Sequence, residues 1–372
     1  MKITAIEVTP VCVPRLRAYG GVVRTALGPA DVSEHGIVRV RTDEGLTGLG
    51  EISSVFARRG PFLYRDVDER LAPALIGRDP LAITGALRAM ETQLPDGQLA
   101  IAGVEMALWD LAGKALGVPV CTLLGGKMRD RIPLSYSVPH GEPEQMAEFA
   151  RERAGEGFRT VKVKVGQGLE RDVEAVRQVR EAVGAAHRVR VDANMAMGDA
   201  KEAIRLVERI MDFDPEMLEQ PVPARDLHAM AEIRRSVSLP IMADESIGRP
   251  RDAMEVIRRE AADVLNVYVT ESGGLQNAAR IFTLAEQAGL GCMIGSMPEL
   301  GIGTAAQIHL GMAMPNLDYD SDTCGSLYQE EDLLSTPLRF ERGHAFAPEG
   351  PGLGVELDPD AVARAARRNP PK

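Results

Sequence analysis

Aromatic side chains and cysteines are both scarce in this sequence. Phe, Trp and Tyr make up 4% of the 372 residues, although 45% of the residues are hydrophobic. The core therefore has to be filled mainly by aliphatic side chains, together with 16 Met. The four cysteines lie far apart and form no CxxC pair, which argues against a disulfide framework and predicts reduced, buried thiols. They are Cys12, Cys121, Cys292 and Cys324.

The sequence also lacks a membrane-spanning run and an excess of basic residues. No apolar run approaches the roughly 20 residues that a transmembrane helix needs. The N-terminal stretch MKITAIEVTPVCVPRL alternates like a β-strand and lacks the apolar block of a signal peptide. A formal net charge of -11 argues against a nucleic-acid partner, which would require a basic face. We therefore expect a cytoplasmic protein with no membrane or nucleic-acid partner.

Short apolar runs alternate with amphipathic helical segments after residue 133. Eight runs recur at a spacing of one strand and one helix, which predicts an α/β fold with a parallel sheet closed into a TIM-like barrel. An open doubly wound sheet is the alternative, but no Gly-rich phosphate loop follows the first strand. The runs are PLSYSV, TVKVKV, RVRVDA, EMLEQP, LPIMADE, DVLNVYV, GLGCMIGS and NLDYDSD.

The two ends of the chain differ from the middle in their pattern of apolar and polar residues. Residues 1–52 alternate like strands, and residues 64–118 have helical periodicity. Strand and turn patterns return beyond residue 330. We predict an α+β domain over 1–130, a barrel over 131–328 and a C-terminal segment over 329–372 that packs back on the first domain.

The stretch VKVKVG places two lysines inside an apolar strand. Side chains alternate along a strand, so Lys162 and Lys164 point to one side and the flanking valines to the other. A barrel strand has no solvent-facing side, so the lysines are predicted to point into the barrel with carboxylates nearby. The alternative is that they line a wet surface groove.

Three successive strands end in a carboxylate. The carboxylates are Asp192 in VRVDAN, Glu219 in EMLEQP and Asp244 in IMADES. The C-terminal ends of barrel strands meet at one mouth, where three anions would repel one another unless a cation lay between them. Oxygen ligands favour a hard ion such as Mg²⁺, with Mn²⁺ as a second choice. Taken singly, each acid could instead cap the following helix.

Further motifs occur in a fixed order along most of the chain. They are GLTGLGE, ALWDLAGKALGVPVCTLLGG, KVK, VDAN, EQP, ADES, ESGGL, GSMPELGIGTAA and EGPGLGVELD. In this order they resemble the enolase superfamily, and within it the muconate-lactonizing-enzyme branch. The resemblance implies an α+β capping domain built from both chain ends over a modified (β/α)₇β barrel. It also implies a homo-oligomer, either a dimer or an octamer.

The same resemblance implies the chemistry. Mg²⁺ would be held by Asp192, Glu219 and Asp244, and the reaction would begin with abstraction of a proton α to the carboxylate of a small-molecule substrate. Lys164 matches the position of the base. Lys162 would supply positive charge to the enediolate that forms, in the manner of an oxyanion hole.

Several other polar residues are candidates for contacts with substrate. Glu299 in SMPELGIG is a candidate acid near the end of strand seven, or the first acid of a helix. Asp320 and Asp322 in DYDSD could bind a substrate ammonium group or could belong to a turn. The remaining candidates for substrate contacts are Asn194 in VDAN, Arg17, Arg24 and His35 in the loop over residues 16–35, and the ARRGP segment over residues 57–61.

Tyr268 departs from the pattern of the branch. It lies in NVYVTESGG, where the branch carries a second Lys, and a phenol with an ordinary pKa near 10 is a poor base. A cycloisomerase of the muconate and lactone type and a dehydratase both need only Lys164 as a proton shuttle, and we favour the cycloisomerase because the C-terminal third of the sequence resembles muconate-type enzymes most. The alternatives are a dehydratase that acts by syn β-elimination, a racemase or epimerase of an amino-acid derivative that uses Lys164 and Tyr268, and a non-catalytic metal-binding barrel.

Overall fold

The computed structural model describes residues 1–53 and 60–368, and its first part is an antiparallel sheet. Strand β1 (Ile3–Pro14) pairs with β4 (Val32–Thr42), and β4 pairs with β5 (Thr47–Ser53). A turn around Gly45 joins β4 to β5, and a small ribbon of β2 (Val23–Thr25) and β3 (Gly28–Ala30) precedes them. In the ARRGP segment, residues 57–59 lie outside the described ranges.

Helices cover one face of this sheet. They are α1 (Gly60–Asp66), a π-helical turn (Val67–Leu71), α2 (Ala72–Leu75), α3 (Ile83–Gln93), α4 (Gln98–Leu116) and α5 (Val120–Leu123). Helix α4 lies directly on β5, because a Cβ atom at Gly50 would be 1.9 Å from the carbonyl oxygen of Gly103. A Cβ atom at Gly48 would likewise be 2.0 Å from the carbonyl oxygen of Ala107, so this close packing accounts for Gly48 and Gly50 of GLTGLGE, whereas Gly45 has a left-handed φ of 82° in the turn. Helix α4 ends at Gly117, which has a left-handed φ of 69°.

The middle of the chain forms a parallel seven-stranded sheet in sequential order, which confirms the predicted barrel. The strands are β7 (Ser135–Val138), β8 (Thr160–Lys164), β9 (Arg188–Asp192), β10 (Pro215–Glu219), β11 (Ile241–Ala243), β12 (Val264–Val267) and β13 (Gly291–Ile294). The helices that follow them are α6 (Pro143–Gly155), α7 (Leu169–Val183), α8 (Ala200–Ile210) with a 3₁₀ turn (Met211–Phe213), α9 (Leu227–Ser236), α10 (Pro250–Arg258), α11 (Leu275–Ala288) and α12 (Gly301–Ala313).

The eighth predicted run has no regular strand but occupies the gap between β13 and β7. Leu317 bridges to Cys292 in β13, and Ser321 bridges to Leu134 just before β7. A 3₁₀ turn (Gly325–Tyr328) follows. The eighth segment therefore closes the barrel by isolated bridges instead of a continuous ladder.

The C-terminal segment packs against the start of the barrel and against the N-terminal sheet. Strands β14 (Phe340–Glu341) and β15 (His344–Ala345) pair with each other, and β15 pairs with β6 (Ile132–Pro133) at the start of the barrel. Helix α13 (Pro359–Arg368) packs against β1. Within the described ranges, no helix has the length and apolarity required to cross a bilayer.

Candidate active site

The strand register places the predicted functional residues side by side at one mouth of the barrel. Lys164 at the end of β8 pairs with Asp192 at the end of β9, and Asp192 pairs with Glu219 at the end of β10. Asp244 directly follows β11. The alternation along β8 is as predicted, because Val161 and Val163 are fully buried in the aliphatic core while the lysines reach acids of the interior.

Lys162 is enclosed by carboxylates. Its Nζ lies 2.7 Å from Glu219 Oε1, 2.9 Å from Asp322 Oδ2 and 3.1 Å from Asp192 Oδ2, and the residue is only 2% exposed. Burial lowers the pKa of the ammonium, but the charges of Asp192, Asp322 and Glu219 outweigh it and raise the pKa well above 10.5. Lys162 is thus a fixed positive charge beneath the mouth.

Lys164, the last residue of β8, lies closer to the opening than Lys162 and borders the cavity. Its Nζ donates hydrogen bonds to Asp192 Oδ2 at 2.5 Å and to Asn194 Oδ1 at 2.8 Å. Asn194 has a left-handed φ of 41° and also donates to Glu245 Oε1 at 3.1 Å. Asn194 therefore borders the cavity as predicted, and in this structure its contacts orient Lys164.

The three predicted metal ligands are buried and differ in their acidity. Burial would raise the pKa of Asp192, but the charges of Lys162 and Lys164 lower it to about 2. Burial, reinforced by neighbouring acids, raises the pKa of Glu219 and raises that of Asp244 well above its usual range. The raised pKa values of Glu219 and Asp244, which are neighbours, indicate that the mouth lacks positive charge.

The residues at the mouth fit a hard cation. Glu219 Oε2 is buried and, within the described ranges, has no hydrogen-bond partner. Among the described residues, no three His, Cys, Asp or Glu side chains are arranged around one point as they stand. In the present arrangement Lys162 contacts Asp192 and Glu219, and Asp244 contacts Tyr268. A cation would give the unpartnered oxygen a ligand and offset the crowded charge.

Tyr268 lies at the cavity on the strand-six side. Its hydroxyl donates to Asp244 Oδ2 at 3.3 Å and its ring lies against Gly295 on the next strand, where a Cβ atom would be 2.3 Å away. Burial, followed by the charges of Asp244 and Glu219, raises the pKa of the phenol well above 10. Tyr268 therefore presents a protonated hydroxyl group to the site.

Two acids that sequence reasoning missed also border the cavity. Burial and the charge of Asp192 raise the pKa of Glu245 to about 7. Burial and the charges of Glu245 and Glu299 raise the pKa of Glu271 to about 8. Glu245 directly follows a predicted ligand and Glu271 precedes the SGG turn, so their positions within motifs could have indicated them.

Glu299 is buried beneath a loop and does not line the cavity. Its carboxylate accepts hydrogen bonds from Ser296 Oγ at 2.5 Å and from the backbone N–H of Met297 at 3.1 Å. Ser296 and Met297 themselves border the cavity. Glu299 therefore contacts residues that border the cavity without bordering it itself, and its role as an acid stays a prediction.

The remaining candidates divide between the cavity and other parts of the fold. Asp322 borders the cavity and binds Lys162, whereas Asp320 accepts from Thr160 Oγ1 at 2.8 Å at the start of β8, away from the mouth. Arg24 is exposed on β2 and does not line the cavity. His35 is fully buried in the N-terminal sheet beside Glu51, at 3.1 Å. The substrate roles of Asp320, Arg24 and His35 therefore find no support in the geometry.

The N-terminal domain supplies part of the cavity wall. The cavity has a volume of about 260 Å³, close to the lower end of the roughly 300–1,000 Å³ typical of small-molecule sites. Besides the residues at the barrel mouth, it is bordered by Arg15 and Arg17 near the end of β1 and by Thr25 and Leu27 around the β2–β3 ribbon. Arg17 therefore borders the cavity, and its contact with substrate stays a prediction.

Two carboxylates of the N-terminal domain also hold the first turns of barrel helices. Glu105 on α4 accepts hydrogen bonds from the N–H groups of Leu275 and Gln276, at 2.8 and 2.9 Å. Glu51 on β5 accepts from the N–H groups of Leu300 and Gly303, both at 2.8 Å. These helices, α11 and α12, begin just after the loops that carry Glu271 and Ser296.

Two family models cover most of the chain. The model described as "Mandelate racemase / muconate lactonizing enzyme, N-terminal domain" matches residues 5–125. The model described as "Enolase C-terminal domain-like" matches residues 145–361.

Individual relatives match over nearly their full lengths. Muconate cycloisomerase 1 of Rhodococcus opacus is 36% identical over 97% of this chain and 98% of the relative. The L-Ala-D/L-Glu epimerase of Bacillus subtilis is 32% identical over 95% of this chain and 97% of the relative. The crystal structure of a muconate lactonizing enzyme from Pseudomonas fluorescens complexed with muconolactone superimposes with a TM-score of 0.93 at 31% identity, and covers 98% of this chain and 99% of that one.

These relatives share the fold and the general architecture but are named for different reactions, which include lactone formation and epimerisation. With both family models matched in chain order, and with a capping sheet over a parallel barrel, the chain belongs to the mandelate racemase and muconate lactonizing enzyme branch of the enolase superfamily.

Proposed function

We propose that this protein is an isomerase that transfers a proton at the carbon next to a substrate carboxylate, and that its reaction is cycloisomerisation of an unsaturated acid and its lactone. One observation carries the proposal. Lys164 borders one side of the cavity, while the position of a second lysine on strand six is occupied by Tyr268, whose hydroxyl is bound to Asp244. Both lysines that border the cavity, Lys162 and Lys164, belong to strand β8, and this one-sided arrangement suits a reaction that exchanges a proton on one face.

The metal-binding role belongs to Asp192, Glu219 and Asp244. Their oxygen donors and the unpartnered Glu219 Oε2 suit Mg²⁺ or Mn²⁺. When bound there, a divalent ion would act as a Lewis acid and stabilise negative charge on the substrate carboxylate.

Lys164 and Lys162 have separate roles in the proposed proton transfer. In the direction of lactone opening, Lys164 removes the α-proton, and the positive charge of Lys162 stabilises the enediolate that forms. The ring C–O bond then breaks, a C=C bond forms and the ring oxygen leaves as a carboxylate. In the reverse direction the carboxylate oxygen adds to the double bond and Lys164 returns the proton to the α-carbon.

Dehydration of a hydroxy acid is the second candidate function, favoured by Glu271. This carboxyl group borders the cavity three residues after Tyr268, and its pKa of about 8 keeps it largely protonated at neutral pH. It could protonate a departing hydroxyl group after Lys164 removes the α-proton, releasing water and leaving a C=C bond. The epimerase alternative has less support, because among the described residues no lysine borders the cavity on the side of Tyr268.

The two reactions are distinguished by their products. The protein is incubated with Mg²⁺ and cis,cis-muconate, muconolactone or a panel of sugar-derived hydroxy acids, and the mixtures are followed by NMR. Interconversion of muconate and its lactone supports cycloisomerisation. Loss of the 3-hydroxyl group of a 2,3-dihydroxy acid as water leaves an enol that tautomerises to a 2-oxo acid, and formation of this product supports dehydration. Epimerisation of N-acyl amino acids or dipeptides without either reaction would contradict both.

A further inference from the structure

Arg190 on β9 carries a fully buried guanidinium group. Side chains alternate along a strand, and Val189 and Val191 belong to the aliphatic core, so Arg190 points to the opposite side, into the barrel. The register of β8 and β9 places Arg190 directly beside Lys162. Removal of a charged group from water is costly unless its partners are well placed. The burial of Arg190 therefore calls for a reason beyond the filling of space.

On one side, the guanidinium group of Arg190 contacts groups below the level of the lysines. Nη2 lies 3.1 Å from Glu216 Oε2 and donates a hydrogen bond to the carbonyl oxygen of Asp320 at 3.2 Å. Nη1 lies 2.8 Å from Met293 Sδ, and the buried Nε has no hydrogen-bond partner among the described residues. A buried polar group is normally fully hydrogen-bonded, so these contacts alone do not account for Arg190.

On its other side, Arg190 faces Asp322. Arg190 Nη1 lies 4.0 Å from Asp322 Oδ1, which also accepts a hydrogen bond from Ser135 Oγ. The second oxygen, Asp322 Oδ2, accepts a hydrogen bond from Lys162 Nζ at 2.9 Å. Asp322 thus lies between two cations on adjacent strands and offers a different oxygen to each. The two positive charges would repel each other without this carboxylate between them.

The charge of Arg190 also keeps Asp322 ionised. Burial would raise the pKa of Asp322, but the charges of Lys162 and then of Arg190 lower it. An ionised carboxylate accepts a stronger hydrogen bond from an ammonium group than a neutral acid does. Arg190 therefore strengthens the contact between Asp322 and Lys162 without touching Lys162 itself.

Asp322 gives the Lys162 ammonium group its third acceptor. An ammonium group has three N–H donors, and the other two acceptors near Nζ are Glu219 Oε1 at 2.7 Å and Asp192 Oδ2 at 3.1 Å. Without Asp322, Lys162 would contact only carboxylates that are proposed to hold the metal. Three acceptors on different strands and loops define one position for the ammonium group, as stabilisation of a forming enediolate requires.

We propose that Arg190 is a positioning residue of the active site: it fixes Asp322, and Asp322 fixes the Lys162 ammonium group where the enediolate forms. Within the described ranges Arg190 does not border the cavity, so it acts through its neighbours. The alternative is that Arg190 only fills the lower part of the barrel and pairs with Glu216. This inference rests on the proposed function, because that function gives Lys162 its role.

The kinetic test is exchange of the α-proton of muconolactone in D₂O with Mg²⁺, followed by NMR at several substrate concentrations. Arg190→Met should lower the maximal rate about 10- to 100-fold, within the range of measured couplings between contacting residues. The concentration at half-maximal rate should change much less, because Lys162 acts on the enediolate more than on the bound substrate. Arg188→Met removes the same charge from an exposed position on β9 and should keep the wild-type rate.

A double-mutant cycle separates positioning from a purely structural role. Asp322→Asn keeps the shape of the side chain and should itself lower the exchange rate. If Arg190 acts through Asp322, adding Arg190→Met to Asp322→Asn should cost no more than about a further twofold. Arg190→Lys keeps the charge and should restore part of the rate. Glu216→Gln breaks the other ion pair of Arg190 and should keep the wild-type rate.

The position of Lys162 can also be followed without an assay of activity. In protein that contains isotope-labelled lysine, a buried ammonium group gives its own NMR signal, and Lys162→Met identifies this signal by its loss. Arg190→Met and Asp322→Asn should each shift the signal, whereas Arg188→Met should leave it in place. Asp322→Asn and Arg190→Lys keep the proposal testable if Arg190→Met does not fold.

A wild-type exchange rate in Arg190→Met, losses that multiply in the double variant, or a Lys162 signal that does not shift would overturn the proposal. Failure of the proposed function has a different signature. The wild-type protein would then exchange no proton of muconolactone, while a shift of the Lys162 signal in Arg190→Met would still support the positioning of Lys162 by Arg190.

Discussion

Lys162 and Lys164 have different surroundings although both contact Asp192. Lys162 Nζ is enclosed by three carboxylates, and their charges raise its pKa well above 10.5 despite the opposing effect of burial. Lys164 has one carboxylate and one amide as partners and borders the cavity. An ammonium group enclosed by anions keeps its proton, so we infer that Lys162 provides charge and that Lys164 moves the proton.

Replacing Lys162 should destabilise the protein. Lys162→Met leaves several buried carboxylates without their cation, and removal of one partner from a buried ion pair typically costs about 3–5 kcal/mol. We expect a loss of this size in the free energy of unfolding, measured by urea denaturation in metal-free buffer. Lys164→Met is the matched control and should lose less, because Lys164 contacts one carboxylate. Equal losses would mean that the two lysines do not differ as described.

Replacing Tyr268 should impair turnover without abolishing proton exchange. Tyr268→Phe removes a hydroxyl group placed to donate a hydrogen bond or one proton, an effect usually worth about 10²–10⁴-fold in rate. Exchange of the α-proton that depends on Lys164 should persist, and both rates can be followed by NMR in D₂O. A wild-type rate of turnover would show that Tyr268 only fills space. Two-way epimerisation that is lost in the variant would show that the phenol acts as a base.

Sequence patterns located the residues on strand ends better than the residues in loops. Strand alternation and spacing are sufficient to place Lys162, Lys164 and the three acids at one mouth. Glu271 lies in the ESGGL motif and could have been found from it, whereas Arg153 borders the cavity only because of how α6 packs. His35 was misplaced for a similar reason, since it belongs to the long strand β4 and its ring is buried beside Glu51.

At the scale of elements, the capping domain stabilises the start of two barrel helices. The first N–H groups of a helix have no partner within the helix and carry partial positive charge. Glu105 accepts hydrogen bonds from the first N–H groups of α11, and Glu51 accepts them from the N–H groups at the start of α12. Gly274, with a φ of 120°, allows the close approach of Glu105, because a Cβ atom there would lie 2.3 Å from Oε2. The second Gly of ESGG is thus required by a contact between domains.

The contact at Glu105 should make stability depend on pH. Burial raises the pKa of Glu105 from 4.5 to about 7, although bonds from Gln276 and Trp109 oppose this. Between these two values the folded protein keeps a proton that the unfolded chain has released, so stability decreases as the pH rises from about 4.5 to 7. A tenfold change in proton affinity corresponds to about 1.4 kcal/mol, so the decrease is on the order of 3 kcal/mol.

This dependence can be measured with the single tryptophan. Trp109 Nε1 donates to Glu105 Oε1 at 2.7 Å, so the emission of Trp109 should titrate near pH 7. Glu105→Gln should abolish the titration and flatten the stability profile in urea denaturation. Glu91→Gln removes another carboxylate that contacts α11, through Asn277, and should leave both unchanged. A titration that survives Glu105→Gln would contradict the assignment.

At the scale of the whole molecule, the alternation of strands and helices predicted the barrel because each parallel strand requires a crossover. The closure of the barrel could not be predicted in detail. The eighth run, NLDYDSD, was predicted in the right place, but its pattern did not show that it contributes isolated bridges at Leu317 and Ser321 instead of a continuous strand. The pairing of β15 with β6 and the contacts of Glu105 join residues distant in sequence, and local patterns do not encode such pairings.

Binding of Mg²⁺ should stabilise the folded protein. A ligand that binds the folded state stabilises it by about 2.7 kcal/mol at a hundredfold excess over its Kd. We therefore expect added Mg²⁺ to raise the Tm and EDTA to reverse the rise. This measurement requires no assay of enzyme activity. Glu219→Gln should lose the response. Glu216→Gln, at the other end of the same strand beside Arg190, should keep it. An unchanged Tm in wild-type protein would argue against the three carboxylates as a metal site.

The most direct test of the proposed chemistry is exchange of the α-proton of muconolactone, hydroxy acids and N-acyl amino acids in D₂O, followed by NMR. We predict deuterium incorporation by the wild-type protein with Mg²⁺, loss of incorporation with EDTA, and recovery when Mg²⁺ is restored. Lys164→Ala should show no incorporation under any of these conditions. Incorporation at the wild-type rate by Lys164→Ala, or by metal-free protein, would contradict proton transfer by Lys164 at a metal-assisted site.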